Sequence, residues 1–167
     1  MQIQKTVSGH QLEEEWLRRR AQRLIRDLSE CRVPGAAALK KAELSILLTD
    51  DPHIQMLNRD WRGKDKSTDV LSFPQLESDD LKALGKAAKA GLRGLPDWWL
   101  GDVVISLERA KAQAEENGLS LRQELETLLA HGLLHLLGFD HEKSRNEANR
   151  MRSLENRLLG RSMIHSH

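Results

Sequence analysis

Apolar residues are laid out along this chain in two rhythms. Short runs of β-branched and aliphatic residues, bounded by turn formers, predict strands at Glu43–Thr49 (ELSILLT), Asp69–Phe73 (DVLSF) and Leu100–Ser106 (LGDVVIS). Met1–Val7 alternates weakly and adds a candidate strand at the start. The second rhythm is helical. Leu12, Trp16, Leu24 and Leu28 share one side of a helix predicted from Gln11 to Glu30, which Pro34-Gly35 ends. Asp50-Asp51-Pro52 reads as an N-cap with proline in the first turn, opening a short helix through Leu57. Leu107–Asn117 predicts a helix stopped by Gly118, and Ser120 with Gln123 forms a capping box for a long apolar helix. Ser144 caps a last helix to about Leu159, in which Met151, Leu154 and Leu158 make a core-facing stripe. Gln75–Asp97, rich in Lys, Ala, Gly and Asp, fits neither rhythm and is expected to be a mobile surface excursion with one helical turn or two. The sum is an α/β (α+β) fold, one domain over residues 1–167, with a small, mostly mixed sheet and about five helices.

Composition narrows the partners. The net charge of +1 gives no long-range basic field, so nucleic-acid binding needs local patches. Two patches exist: Arg59–Lys66 holds four basic and two acidic residues, and Lys143–Arg161 holds six and two. Aromatics make up only 4% and include no tyrosine, so stacking platforms are scarce. Cys31 is the single cysteine, which excludes an internal disulfide and a thiolate zinc cluster. The opening MQIQKTVSG lacks an apolar signal core, and no apolar run approaches the roughly 18 residues of a membrane span. A cytoplasmic protein without a membrane partner is the expectation.

The chemistry concentrates in His131-Gly-Leu-Leu-His135-Leu-Leu-Gly138-Phe-Asp140-His141, three histidines within eleven residues of an otherwise apolar helix. Positions four apart on a helix differ by about 40° in direction and about 6 Å in rise, so His131 and His135 can face one ion. Gly138 suits a left-handed C-cap that turns the chain and brings His141 back. Three neutral nitrogen donors leave a tetrahedral ion one open position, the arrangement of a catalytic zinc. Such an ion lowers the pKa of water to about 7 and polarises carbonyl or phosphoryl oxygens, so hydrolysis is the natural reaction class. His10 and His53 at helix starts, and His165 and His167 in a polar tail, read as surface residues. Asp140 is either a partner to an imidazole N–H or a turn residue.

The spacing matches the HExxHxxGxxH helix of metzincin proteases except at one position. Gly132 stands where those enzymes carry the glutamate base, and glycine can neither accept a proton nor orient water. Two rival readings remain: a zinc peptidase on a metzincin-like helix, and a noncatalytic RNA-binding factor with a structural ion.

The string HGLLHLLGFDH resembles the HGxLHLxGxDH signature of the YbeY endoribonucleases, also called rRNA maturation factors. A second block, Leu57–Pro74 (LNRDWRGKDKSTDVLSFP), and a third, Leu100–Ser106, are similar to that family's blocks in the same order. The resemblance frames roughly residues 43 to 158. Phe139 stands where the family often has tyrosine, Ser67 where it often has proline, and the stretch 75–97 is longer than the family needs. The resemblance implies a metal-dependent endoribonuclease specific for single-stranded RNA rather than DNA, acting on the 3′ end of small-subunit ribosomal RNA and in ribosome quality control. It implies one zinc ion on His131, His135 and His141, and a catalytic Arg62 near the metal. An arginine suits that place because its planar fork holds a phosphate through two hydrogen bonds. Arg59, Lys64 and Lys66 are candidate RNA-binding residues. Whether water or the RNA 2′-hydroxyl attacks stays open.

Overall fold

A computed structural model describes residues 2–5, 11–91 and 97–160, with side chains from Glu14 onward. Its sheet has four strands, β1 (Gln2–Lys5), β2 (Ala42–Thr49), β3 (Val70–Pro74) and β4 (Trp98–Ser106), in the spatial order β1-β2-β4-β3. β1, β2 and β4 run parallel, and β3 lies antiparallel on β4 as an edge strand, so the sheet is mixed. The alternation along the central strands divides the side chains between two faces. Leu44, Ile46, Leu48, Val103 and Ile105 point into the main core, whereas Leu47, Leu71 and Val104 join a small cluster on the other face.

The main face is covered by α1 (Gln11–Ser29), which contributes Leu17, Leu24 and Leu28, and by α5 (Leu121–Leu136), which contributes Leu125, Leu129 and Leu133. α6 (Arg145–Leu159) closes this layer with Met151 and Leu158. Among the described residues, the opposite face is covered by α2 (Asp51–Arg62), through Ile54 and Leu57. α4 (Leu107–Glu116) starts directly from β4, where the Ser106 hydroxyl accepts the Arg109 N–H as its N-cap.

α2 runs one turn past the expected end at Leu57. The Asp50 carboxylate accepts the His53 N–H at one end, and Gly63, at φ +67°, stops the helix at the other. Beyond Leu57 the helix is polar but for Trp61, whose side chain is exposed, so the apolar periodicity fades before the helix ends.

The stretch 75–97 differs from the expected excursion. It holds a twelve-residue helix, α3 (Ser78–Lys89), packed on a 3-10 turn at Ala36–Lys41. Leu81 is 1% exposed, and a Cβ at Gly85 would lie 3.1 Å from the Gly35 Cα, so backbones meet where side chains usually do. Small residues make this contact, and small residues leave little hydrophobic periodicity to read. With α3 and the 3-10 turn, the described residues form seven helical elements rather than about five.

Gly101 fixes the sheet end nearest the site. The β2–β4 register slips between Glu43 and Leu44, leaving Leu100 unmatched, and Gly101 follows at φ +140°. A Cβ there would sit 2.3 Å from the Phe73 carbonyl oxygen, so only glycine lets β3 pair at this point.

Candidate metal centre

α5 begins with the expected capping box: the Ser120 hydroxyl accepts the Gln123 N–H, and the Gln123 side chain accepts the Ser120 N–H. It ends in a Schellman turn, in which the Phe139 N–H reaches the Leu134 carbonyl and the Gly138 N–H reaches that of His135, with Gly138 at φ +86°. This turn reverses the chain over the last helical histidine. As a result the nearest ring nitrogens of His131, His135 and His141 all lie within 4.8 Å of one another. The Nε2 atoms of His131 and His135 are 3.0 Å apart, and ring centroids are separated by 4.6 to 5.4 Å.

Behind the cluster, the Glu155 carboxylate on α6 lies 2.6 Å from Nδ1 of His131. A carboxylate there accepts the Nδ1 proton and leaves Nε2 as a lone-pair donor facing the other two rings. Burial, then the charges of His131 and His141, lower the pKa of His135 against the opposing effects of Asp140 and the Phe139 backbone. A neutral imidazole is what a metal ion requires. The donor set therefore fits one metal ion held by three nitrogens. Glu155 was not among the residues singled out from the sequence. It sits between Leu154 and Leu158 on α6, and only the packing of α6 on α5 shows that its carboxylate meets His131.

The histidines open onto a cleft of about 590 Å³ that Arg62, Ser72, Asp140 and Lys143 also line. Arg62 reaches it from the last turn of α2, and among the described residues it has no acidic partner. Arg59 differs: its guanidinium is ion-paired with Asp60 at 2.8 Å, which raises its pKa, and it does not line the cleft. Lys64 and Lys66 are exposed on the following loop and likewise lie off the lining. Asp140 acts as a turn residue, since its Oδ1 accepts the Glu142 N–H at 2.9 Å. His53 begins α2 away from the cluster, and His10, His165 and His167 lie outside the described residues.

The loop carrying Lys64 and Lys66 is held from several sides. Buried Asn58 donates to the Lys66 carbonyl at 2.8 Å and Gln55 donates to Asp65 at 3.0 Å. Arg109 donates to the Ser67 hydroxyl, so a hydrogen bond from α4 holds the turn. Asp69 accepts the Val70 N–H at 2.8 Å through one oxygen and Gln113 at 3.0 Å through the other. It lines the cleft with both oxygens engaged, tying the start of β3 to α4.

Gly132 faces the sheet, not the cleft. A Cβ on it would meet Val103 Cγ1 at 2.9 Å and Ser72 Oγ at 3.2 Å, and the Ser72 hydroxyl donates to its carbonyl. Glycine at this position lets α5 lie directly on β3 and β4.

A family model described as Endoribonuclease YbeY matches residues 3–162. The chain belongs to the YbeY family. The YbeY relative of Sulfurihydrogenibium sp. is 44% identical over 137 residues, 82% of this chain and 80% of its own. That of Persephonella marina is 52% identical over 121 residues, 72% and 71% of the two chains. The YbeY relative of Syntrophotalea carbinolica is 39% identical over 160 residues, 95% and 93% of the two. In fold, the chain is similar to the solution structure of TM1509 from Thermotoga maritima, with a TM-score of 0.54 at 22% identity over 96% of this chain and 90% of that one. The YbeY resemblance read from the histidine string thus extends nearly end to end, across α3 as well. No helix among the described residues is long and apolar enough to cross a membrane.

Proposed function

We propose that this chain is a zinc-dependent endoribonuclease of single-stranded RNA that matures ribosomal RNA, at the 3′ end of the small-subunit RNA, and serves ribosome quality control in the cytoplasm. One observation carries the reading: three imidazoles within 4.8 Å of one another open onto the same cleft as an unpaired arginine. His131, His135 and His141 would hold the zinc, one ion per chain. When bound, the ion supplies Lewis acidity toward water and the phosphoryl oxygens.

The chain's own residues do the rest. Glu155 keeps His131 in the tautomer that presents Nε2. Arg62 binds the scissile phosphate through its fork and stabilises the charge that develops on it as the bond breaks. Lys143 adds a second cation on the cleft wall. Arg59, Lys64 and Lys66 then contact flanking phosphates outside the cleft, where their exposure makes the affinity they add sensitive to salt. Gly132 speaks against a peptidase, because the metzincin base position is packed against Val103 and Ser72.

The test is zinc content by elemental analysis together with cleavage of a labelled single-stranded ribosomal RNA fragment. One zinc per chain and cleavage, both lost in His135→Ala with the fold intact, support the proposal. Zinc and RNA binding without any cleavage would make the chain an assembly factor instead.

A further inference from the structure

A second hollow, of about 430 Å³, lies on the thinly covered face of the sheet, across from α5. Leu57, Trp61 and Phe73 form its apolar walls, and His53, Gln75 and Asp102 place polar groups around them. Trp61 is 72% exposed, the more exposed of two large hydrophobic side chains that the described residues leave open. It makes a T-shaped pair with Phe73, with ring centroids 6.0 Å apart at 67°, so the exposed indole has an aromatic neighbour to brace it.

The hollow adjoins the metal cleft. Pro74 lines both, and Trp61 and Arg62 are consecutive residues on the last turn of α2, one serving each cavity. A strand with a phosphate on Arg62 therefore has Trp61 within reach of a neighbouring nucleotide. No lysine or arginine lines the hollow, and Asp102 contributes a carboxylate, so a phosphate is unsuited to it. A flat ring with an amino edge suits it: aromatic and aliphatic walls take the face, and a carboxylate or side-chain amide accepts the exocyclic N–H.

We propose that this hollow is a nucleobase subsite, in which a base next to the scissile phosphodiester leaves its stack and packs against Trp61. The subsite rests on the endoribonuclease reading and gives it a specificity element. It also answers the scarcity of aromatics: one exposed tryptophan beside the catalytic cleft is enough to hold a single nucleotide.

The experiment uses full-length protein and a single-stranded RNA oligonucleotide that the wild type cuts, with a series carrying one abasic ribose at each position around the cut. Affinity is measured in chelator, so that nothing is cut, and kcat and KM are measured with zinc. Trp61→Ala is expected to weaken binding of the intact RNA roughly 5- to 150-fold and to raise KM more than it lowers kcat. Trp61→Phe should recover most of the loss. An abasic ribose at one position should weaken wild-type binding by a similar factor and add nothing to Trp61→Ala. If the wild type cuts the RNA while Trp61→Ala binds and cuts every oligonucleotide equally well, the subsite is wrong and the hollow belongs to a protein partner, with the endoribonuclease reading untouched. If the wild type cuts no RNA at all, that reading falls and takes the subsite with it.

Discussion

Glu155 Oε1 lies 2.6 Å from His131 Nδ1, a contact that joins the last helix of the chain to the helix bearing two of the three clustered histidines. Its partner's Nε2 faces the ring of His135, so the carboxylate bears on a candidate metal donor from outside the cluster. Glu155→Gln keeps the shape but weakens the acceptor and removes its charge. Zinc affinity should fall about 10- to 100-fold, the usual cost of losing such a partner. Competition with a chromophoric chelator measures it, and unchanged affinity would make the contact a packing detail.

Arg62 and Arg59 are three residues apart on α2 but differ in what surrounds them. Arg62 lines the cleft without an acidic partner among the described residues, whereas Arg59 is paired with Asp60 and stays outside. Arg62→Ala should lower kcat about 100- to 1,000-fold, as loss of one preorganised donor does, with zinc content unchanged. Arg62→Lys should recover little, because an ammonium cannot make the two-pronged contact. Arg59→Ala should alter cleavage only modestly and mainly at low salt. Equal losses in the two variants would overturn the assignment.

Removing the ion should stop cleavage long before it unfolds the protein. The turn that places His141 is closed by the Phe139–Leu134 and Gly138–His135 backbone bonds and by Asp140 on the Glu142 N–H, none of which needs a metal. In chelator, the far-ultraviolet circular dichroism should stay that of the loaded protein. The free energy of unfolding should drop only by the binding linkage, about 2.7 kcal/mol for an ion at a hundred times its dissociation constant. Loss of helical signal on chelation would mark the ion as structural.

Two glycines should tolerate substitution badly for different reasons. At Gly101, alanine meets both a φ of +140° and the Phe73 carbonyl oxygen at 2.3 Å, so β3 must move off β4 and a loss of about 3 kcal/mol or more is expected. At Gly132 the backbone is helical and the obstacle is the Val103 side chain at 2.9 Å. Alanine there gains about 1 kcal/mol of helix propensity against about 1–3 kcal/mol of overpacking, and a net loss of about 1 kcal/mol follows. Urea unfolding of both variants measures the difference, and equal losses would refute the separation.

Much of this molecule was readable because its signals are local. Asp50, Ser120 and Ser144 cap helices from adjacent positions, Gly138 turns the chain where a left-handed residue is needed, and the histidine spacing follows from helix geometry alone. What escaped depends on contacts between distant segments. α3 packs through Gly85 on Gly35, and glycine against glycine leaves no hydrophobic mark. Glu155 reads as one more charge on a charged helix until His131, twenty-four residues earlier, is seen beside it. The difference between Arg62 and Arg59 is equally tertiary, since it lies in which of the two faces the cleft.

The closeness of α5 to the sheet at Gly132 also bears on how this scaffold can change over evolutionary time. One substitution would spell the protease motif, glycine to glutamate after the first histidine, but the site it would occupy is filled by Val103 and Ser72. Those neighbours would have to shrink or the strands recede before a carboxylate could be accepted. A lineage drifting one residue at a time would have to change the sheet before the helix, so packing sets the order of substitutions on that route.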